Sequence, residues 1–343
     1  MRTPARLLRG FLALALFTGG TAGCVDAQAP PPTPTRPVIG AAPAPPPKDV
    51  LRLPKKAGSI RFAAIGDAGR GDRAQRDVAD RMMAFREEFS FDFVLLLGDN
   101  IYDGSSPEDY RLKFEEPYKP FLDRGVRFHA VVGNHDDPGQ PKYAPFNMGG
   151  HRYYTFRPAR TLLEALRDID VQFFMLDTER LTGGQLAWLD RELVRSDAEW
   201  KIPVFHRPIY TSGRYGNPAR ILRAALEPVL VKHGVRVALS GHEHFYERTQ
   251  PRNGVTYFIS GAGGSLRRND LRNSSLTARG FDGDYSFMLF EIAGEELFYQ
   301  SIARTGHNVD HGVITREEEE TEEDRAAATA GTDPRAQSVS RGP

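Results

Sequence analysis

Five short segments of this chain carry residues suited to metal chemistry: "GDAG" (Gly66 to Gly69), "GDNIY" (Gly98 to Tyr102), "GNHD" (Gly133 to Asp136), "FHRP" (Phe205 to Pro208) and "GHEH" (Gly241 to His244). Asp67, Asp99, Tyr102, Asn134, His206, His242 and His244 offer two carboxylates, a phenol, an amide oxygen and three imidazoles. Such mixed oxygen and nitrogen donors suit Fe, Mn or Zn better than thiophilic metals. Seven donors exceed what one ion takes. Two ions sharing a bridging carboxylate would use them all, and ion pairs about 3.5–4 Å apart drive in-line displacement at phosphorus. On extended backbone His242 and His244 point to the same side, because side-chain direction has period two.

Each fragment also has a plain reading. Asp67 alone is a turn carboxylate, "GDN" another strand-end turn, and Tyr102 a core aromatic with its hydroxyl satisfied. "GNHD" is a set of turn formers, and His206 alone is a core histidine. Only the paired His242 and His244 favour metal by themselves. The weight comes from five such segments arriving in order, each at the end of an apolar run.

Those runs are the elements that must position the donors. "IRFAAIGDAG", "FDFVLLLGDN", "RFHAVVGNHD", "VQFFMLDTE", "KIPVFHRP", "VRVALSGHEH" and "GVTYFISGAGG" read as buried strands. Helical patterns lie between them: Val78, Met82 and Phe85 at spacings of four and three, then Leu186, Leu189 and Leu193. A third begins at "NPARILRAALEPVL", with Asn217 as expected N-cap and Pro218 at the first helical position. The alternation argues for an α/β domain with largely parallel strands. "YSFMLFEIAGEELFYQSIAR" (Tyr285 to Arg304) reads as a hairpin about Gly294, suggesting a second, partly antiparallel sheet. In open α/β sheets the ligand crevice lies at the carboxyl ends of the strands, where all five segments fall.

The ordered set D-x-G, G-D-x-x-Y, G-N-H-D, lone His and G-H-x-H resembles the calcineurin-like metallophosphoesterases. Tyr102, three residues past Asp99, makes it similar to the purple acid phosphatase branch, that of the tartrate-resistant enzymes. The match runs from about Ile60 to Arg248; one variant of the pattern has Val where this chain has Pro203. The resemblance implies a four-layer α/β/β/α sandwich with two central mixed sheets. It implies Fe(III) held by Asp67, Asp99, Tyr102 and His244, with Asp99 bridging to Fe(II), Zn or Mn held by Asn134, His206 and His242. His135 is then not a ligand but the acid for the leaving alkoxide, oriented by Asp136, and the nucleophile is a hydroxide on the metals. The implied reaction is hydrolysis of phosphate monoesters, from a small molecule or a phosphoprotein. A phosphodiesterase or nucleotidase would share the site, with substrate walls in Asp103 to Arg127, Asp137 to Leu166 and Leu266 to Asp284. A lipoprotein whose metals serve only structure is the remaining alternative. No G-x-S-x-G elbow or P-loop offers a different chemistry.

Other candidates are weaker. "GAGGS" (Gly261 to Ser265) is either a phosphate cradle or a tight turn, and Arg207 either touches substrate phosphate or serves shape. His129 reads as structural, His151 as an exposed loop residue and His233 as a helix C-terminal charge suited to the dipole. His307 and His311 carry no assignment.

The chain has 343 residues, 40% hydrophobic and 26% charged, with formal net charge zero. No nucleic-acid footprint follows from that balance. Seven acids lie within Glu317 to Asp324, so the remainder is mildly basic, compatible with an anionic substrate. Residues 1–23 read as a signal peptide: Arg2, Arg6 and Arg9 precede a short apolar stretch, Phe11 to Phe17. "TAGC" follows, ending in Cys24, the one cysteine, and resembles a lipoprotein processing site with Thr21 where leucine is commoner. Cleavage after Ala29 is the alternative, hindered by Pro30. The expectation is an exported protein held at a membrane by lipid on Cys24, with a proline-rich linker over 24–57, a catalytic domain over 58–314 and an acidic low-complexity tail over 315–343.

Overall fold

The computed structural model describes residues 50–158 and 169–316. The signal segment, Cys24, the proline-rich stretch Ala29 to Pro47 and the acidic run lie outside them, as does part of the expected wall Asp137 to Leu166. Among the described residues, no helix is long and apolar enough to cross a membrane.

The seven apolar runs are strands, and they divide between two sheets. In the first sheet, β1 (Ile60–Ile65), β2 (Phe93–Leu96) and β3 (Arg127–Ala130) are parallel. In the second, β5 (Val171–Met175), β6 (Trp200–Phe205), β7 (Val237–Ser240) and β9 (Thr256–Ser260) are parallel. Antiparallel strands complete this sheet: β4 (Tyr154–Phe156) on β5, β8 (Tyr246–Thr249) on β9, and β10 (Thr277–Phe281) on β8. The strand orders are β13-β12-β11-β1-β2-β3 and β10-β8-β9-β7-β6-β5-β4.

The hairpin about Gly294 is present as β11 (Ser286–Ala293) and β12 (Glu296–Ala303), followed by β13 (Asn308–Thr315). It does not found a separate sheet. β11 pairs antiparallel with β1, so the hairpin extends the first sheet and makes it mixed. β11 is buried over nearly its whole length, as expected of a strand covered on both faces.

Three hydrophobic clusters define four layers. Phe62, Phe93 and Phe290 of the first sheet meet Phe173, Val204 and Phe258 of the second. There Phe62 lies edge-on to Phe173 at 5.2 Å between ring centres. On the outer face of the first sheet sits α1 (Arg73–Glu88), burying Val78, Met82 and Phe85. Two short turns, α2 (Pro107–Tyr110) and α3 (Lys119–Leu122), lie in the following connection. On the outer face of the second sheet are α4 (Gly183–Arg195) and α5 (Gly216–Lys232). The order is therefore α/β/β/α.

Two local expectations are corrected. α5 begins at Gly216 after Tyr215, so Asn217 is inside the helix and not its cap. Pro218 still falls in the first turn, where its missing N–H costs nothing. The folded body also extends beyond 58–314. Leu53 is buried, Arg52 N donates to Gln300 Oε1 at 2.8 Å, and Lys55 N donates to Glu291 Oε2 at 2.8 Å. Gln300 and Glu291 are fully buried polar side chains whose partners are this N-terminal segment. At the other end β13 runs to Thr315, and Arg316 pairs with Glu295.

Candidate metal centre

Donors from both sheets converge at the carboxyl ends of the parallel strands. Asp67 follows β1, Asp99 follows β2 and Asn134 follows β3; His206 follows β6, and His242 and His244 follow β7. Backbone bonds lock these loops together: Gly66 N donates to Ser260 O across the sheets at 2.8 Å, and Asp67 N to Gly98 O at 3.0 Å. Asp67, Asp99 and His242 all have positive φ, at 55°, 51° and 69°. Each such residue costs roughly 1–3 kcal/mol, which persists where the surroundings impose it. Glycines make the close approach possible. A Cβ on Gly98 would overlap the His206 ring, and one on Gly133 would overlap the Asp99 carboxylate.

The seven donors form two sets. The Tyr102 hydroxyl lies 3.2 Å from Asp67 Oδ1, 3.0 Å from Asp99 Oδ2 and 3.2 Å from His244 Nε2. His244 Nε2 is 3.3 Å from Asp67 Oδ1, which closes the first set. In the second, His206 Nε2 lies 3.4 Å from Asp99 Oδ1, 3.2 Å from Asn134 Oδ1 and 3.2 Å from His242 Nδ1. Each set has four donors, and Asp99 gives one oxygen to each. Asp67, Asp99 and His206 alone place one ligand atom each within 4.8 Å of one another.

His242 and His244 do not share a set. The positive φ at His242 breaks the extended backbone that would have aimed both rings alike, and its N–H donates to Asp67 Oδ2 at 2.7 Å.

The electrostatics are those of a cation site. Burial opposes ionisation of Asp99, but the adjacent His206 charge outweighs it and holds the carboxyl well below its usual range. Burial would likewise depress His206, yet Asp99 raises it to about 10. The buried carboxylates thus draw a proton onto His206 where no metal charge is supplied. His242, buried and facing the positive His206 and Arg207, is pushed down to about 2. Burial, then the charges of Asp67 and Asp99, raise the Tyr102 phenol far above its ordinary value. A phenolate at that position needs a strong positive charge beside it. The donor types, their two-by-four grouping and this unbalanced negative charge fit a pair of metal ions.

Comparison with known proteins agrees. The family described as "Calcineurin-like phosphoesterase" matches residues 60–246. The chain belongs to that family. It is 31% identical to tartrate-resistant acid phosphatase type 5 of Rattus norvegicus over 299 residues, 74% of this chain and 89% of the relative. It is 26% identical to purple acid phosphatase 17 of Arabidopsis thaliana over 304 residues, 71% and 84% of the two. Among solved structures, GAP50, titled the anchor in the inner membrane complex of Plasmodium, shares the fold. Its TM-score is 0.65 at 19% identity, with 79% of this chain and 93% of that one covered. This calcineurin-like phosphoesterase lies in the purple acid phosphatase branch and is a metal-dependent phosphoester hydrolase.

The seven side chains named from the sequence as candidate donors lie together at this site. His135 is exposed beside it, its ring 4.7 Å from that of Tyr102 and its N–H donating to Asp99 Oδ1 at 2.9 Å. Asp136 does not orient that ring. Its carboxylate accepts from the N–H groups of Asn100, Ile101 and Gly133 and from Gln140 Nε2, so it holds the loop together. Burial, then Asp99, push it up to about 6. "GAGGS" is not a phosphate cradle: Gly261, Gly263 and Gly264 spend their N–H groups on Phe245 O, Gly66 O and Asp67 O.

His129 stacks on Phe156 at 3.7 Å, His151 is exposed in its loop, and His233 reaches Asp190 at 2.7 Å; none joins the site. The His311 ring lies 3.2 Å from Asn308 Nδ2, outside the site. Two neighbours escaped sequence reading. Arg70 lies over the Tyr102 ring at 3.6 Å and donates to Ser265 Oγ at 2.9 Å. Glu243, between the two histidines, is fully buried, accepts from Thr211 Oγ1 and Tyr215 N, and is raised to about 7 by burial. Its place inside G-H-x-H was the available signal.

Proposed function

We propose that this phosphoesterase hydrolyses phosphate monoesters at two metal ions, Fe(III) in the set containing Tyr102 and Fe(II), Zn or Mn in the set containing His206. One observation carries the reading: the two oxygens of Asp99 face two separate four-donor sets. The ions would supply Lewis acidity, screening the phosphate charge and acidifying water.

The protein's own residues do the rest. His206 donates from Nδ1 to Leu97 O at 2.9 Å, which leaves its Nε2 lone pair for the metal. Asp136 fixes the loop carrying Asn134 and His135. His135, exposed and packed against Tyr102, delivers a proton to the leaving alkoxide. The bound phosphate belongs to a small molecule or a phosphoprotein. The shared fold alone does not argue for catalysis, since a protein titled as an anchor has it too. The support lies in the ligand set.

The test is metal analysis with a visible spectrum of the purified protein, followed by assay on p-nitrophenyl phosphate and bis-p-nitrophenyl phosphate. Two metals per chain, a visible charge-transfer band and preference for the monoester are expected. One metal per chain would refute the bimetallic reading, and diester preference would move the site to a phosphodiesterase.

The reading extends to location: an exported enzyme tethered through lipid on Cys24. Detergent-phase partitioning of the full chain, abolished in Cys24→Ala, is the expected result. Aqueous partitioning of the unaltered chain would refute the anchor.

A further inference from the structure

Arg207 follows the ligand His206 and stands on the far side of His242 from the metal set. Its backbone N–H donates to Thr178 Oγ1 at 2.9 Å, and its Nε donates to Glu179 Oε2 at 2.9 Å. Its Nη1 lies 3.1 Å from His242 Nε2. The opposite ring nitrogen, Nδ1, is the one that faces His206 Nε2 and the second donor set.

A guanidinium carries five N–H donors and no acceptor. Among the described residues, only the Nε–H and one Nη1–H of Arg207 have partners, Glu179 and His242. Three donors are open, on a side chain 30% exposed beside a metal ligand. Glu179 holds the guanidinium by Nε at 2.9 Å, and Nη1 stands beside His242 at the edge of the second donor set. A planar fork of that kind matches the oxygens of a phosphoryl group bidentately.

We propose that Arg207 is a substrate-binding residue whose open Nη donors grip the phosphoryl oxygens that the metals do not hold. The assignment rests on the phosphoesterase site described above. It also names what a lysine could not do: Lys offers a point charge in place of a fork.

The experiment uses two-metal protein and inorganic phosphate as probe, with metal content measured alongside in the unaltered chain, Arg207→Met and Arg207→Lys. In Arg207→Met, phosphate affinity should fall at least tenfold and KM for p-nitrophenyl phosphate should rise in parallel. The second metal should bind as tightly as before. Arg207→Lys should recover only part of the phosphate affinity. Unchanged phosphate affinity in metal-replete Arg207→Met would overturn the assignment, and so would weakened metal binding, which would make Arg207 a support for His242. Full recovery by lysine would also overturn it by removing the need for the fork. If the unaltered two-metal protein neither binds phosphate nor cleaves any phosphoester, the functional reading itself fails. If it does both and the variants match it, only the Arg207 assignment falls.

Discussion

The His206 ring donates from Nδ1 to the carbonyl oxygen of Leu97 at 2.9 Å, joining the end of β6 to the end of β2 across the two sheets. A carbonyl only accepts, so the bond fixes the hydrogen on Nδ1 and turns Nε2 toward Asp99. Gly98 makes the approach possible. Its φ is +90°, and the face where a Cβ would stand is filled by the imidazole. Gly98→Ala should therefore displace the ring and empty the second donor set. Metal content should fall toward one ion per chain and phosphatase activity should be lost. The strained backbone alone should cost roughly 1–3 kcal/mol, read as a lower Tm. Retention of two metals in this variant would show that the His206 position is not fixed from Gly98.

Asp99→Ala removes an oxygen from both sets at once. Each keeps three donors, yet the charge that both share is gone, and His206 loses its nearest carboxylate at 3.4 Å. Metal and activity should disappear together, with metal occupancy well below that of Asn134→Ala, which strips a neutral donor from one set only. Elemental analysis after dialysis gives the comparison. Equal metal loss in the two variants would argue against the shared role of Asp99.

His135→Ala should keep both metals. The contact of residue 135 with Asp99 is made by its backbone N–H, which the substitution preserves. The imidazole contributes its proton, and general acids are worth roughly 10²–10⁴-fold. The loss should approach that range for alkyl phosphates and be much smaller for p-nitrophenyl phosphate, whose leaving group needs little protonation. Equal slowing of both would exclude His135 as the acid. Asp136→Asn, by contrast, disturbs the loop and should affect the two substrates alike.

The candidate donor set was legible because each donor lies within four residues of the Gly that ends an apolar run or directly after the strand. Local spacing thus carried the information. The backbone conformation of His242 was not legible, because its positive φ is imposed by tertiary contacts and no local turn residue announces it. The partners of Asp136 were hidden for a related reason. Asn100 and Ile101 lie 36 and 35 residues away, and adjacency to His135 suggested the wrong neighbour. Longer range hid more. Arg52 and Gln300, 248 residues apart, bind the segment before Gly58 to the first sheet. The pairing of β11 with β1 likewise depends on contacts that hairpin patterning does not encode.

His129 offers a pH test away from the metals. It lies on β3 between Arg127 and Ala130, stacked flat on Phe156, and its Nδ1 is buried without a hydrogen-bond partner. Burial first, then the Arg127 charge, push the ring down to about 4, from an ordinary value of 6.5. The folded state therefore holds the neutral ring. Between pH 6.5 and 4 the unfolded chain binds more protons at this residue than the folded one, so stability falls as pH drops through that window. Above pH 6.5 the residue has no effect, and below 4 its contribution is constant. The shift corresponds to a loss of up to roughly 3 kcal/mol, at 1.36 kcal/mol per pKa unit. His129→Phe removes the titrating group and keeps a flat ring for Phe156. Its Tm should decline less steeply than that of the unaltered protein between pH 6.5 and 4, with the two slopes equal above pH 7. Parallel curves throughout would show that His129 takes up its proton without cost in the folded state.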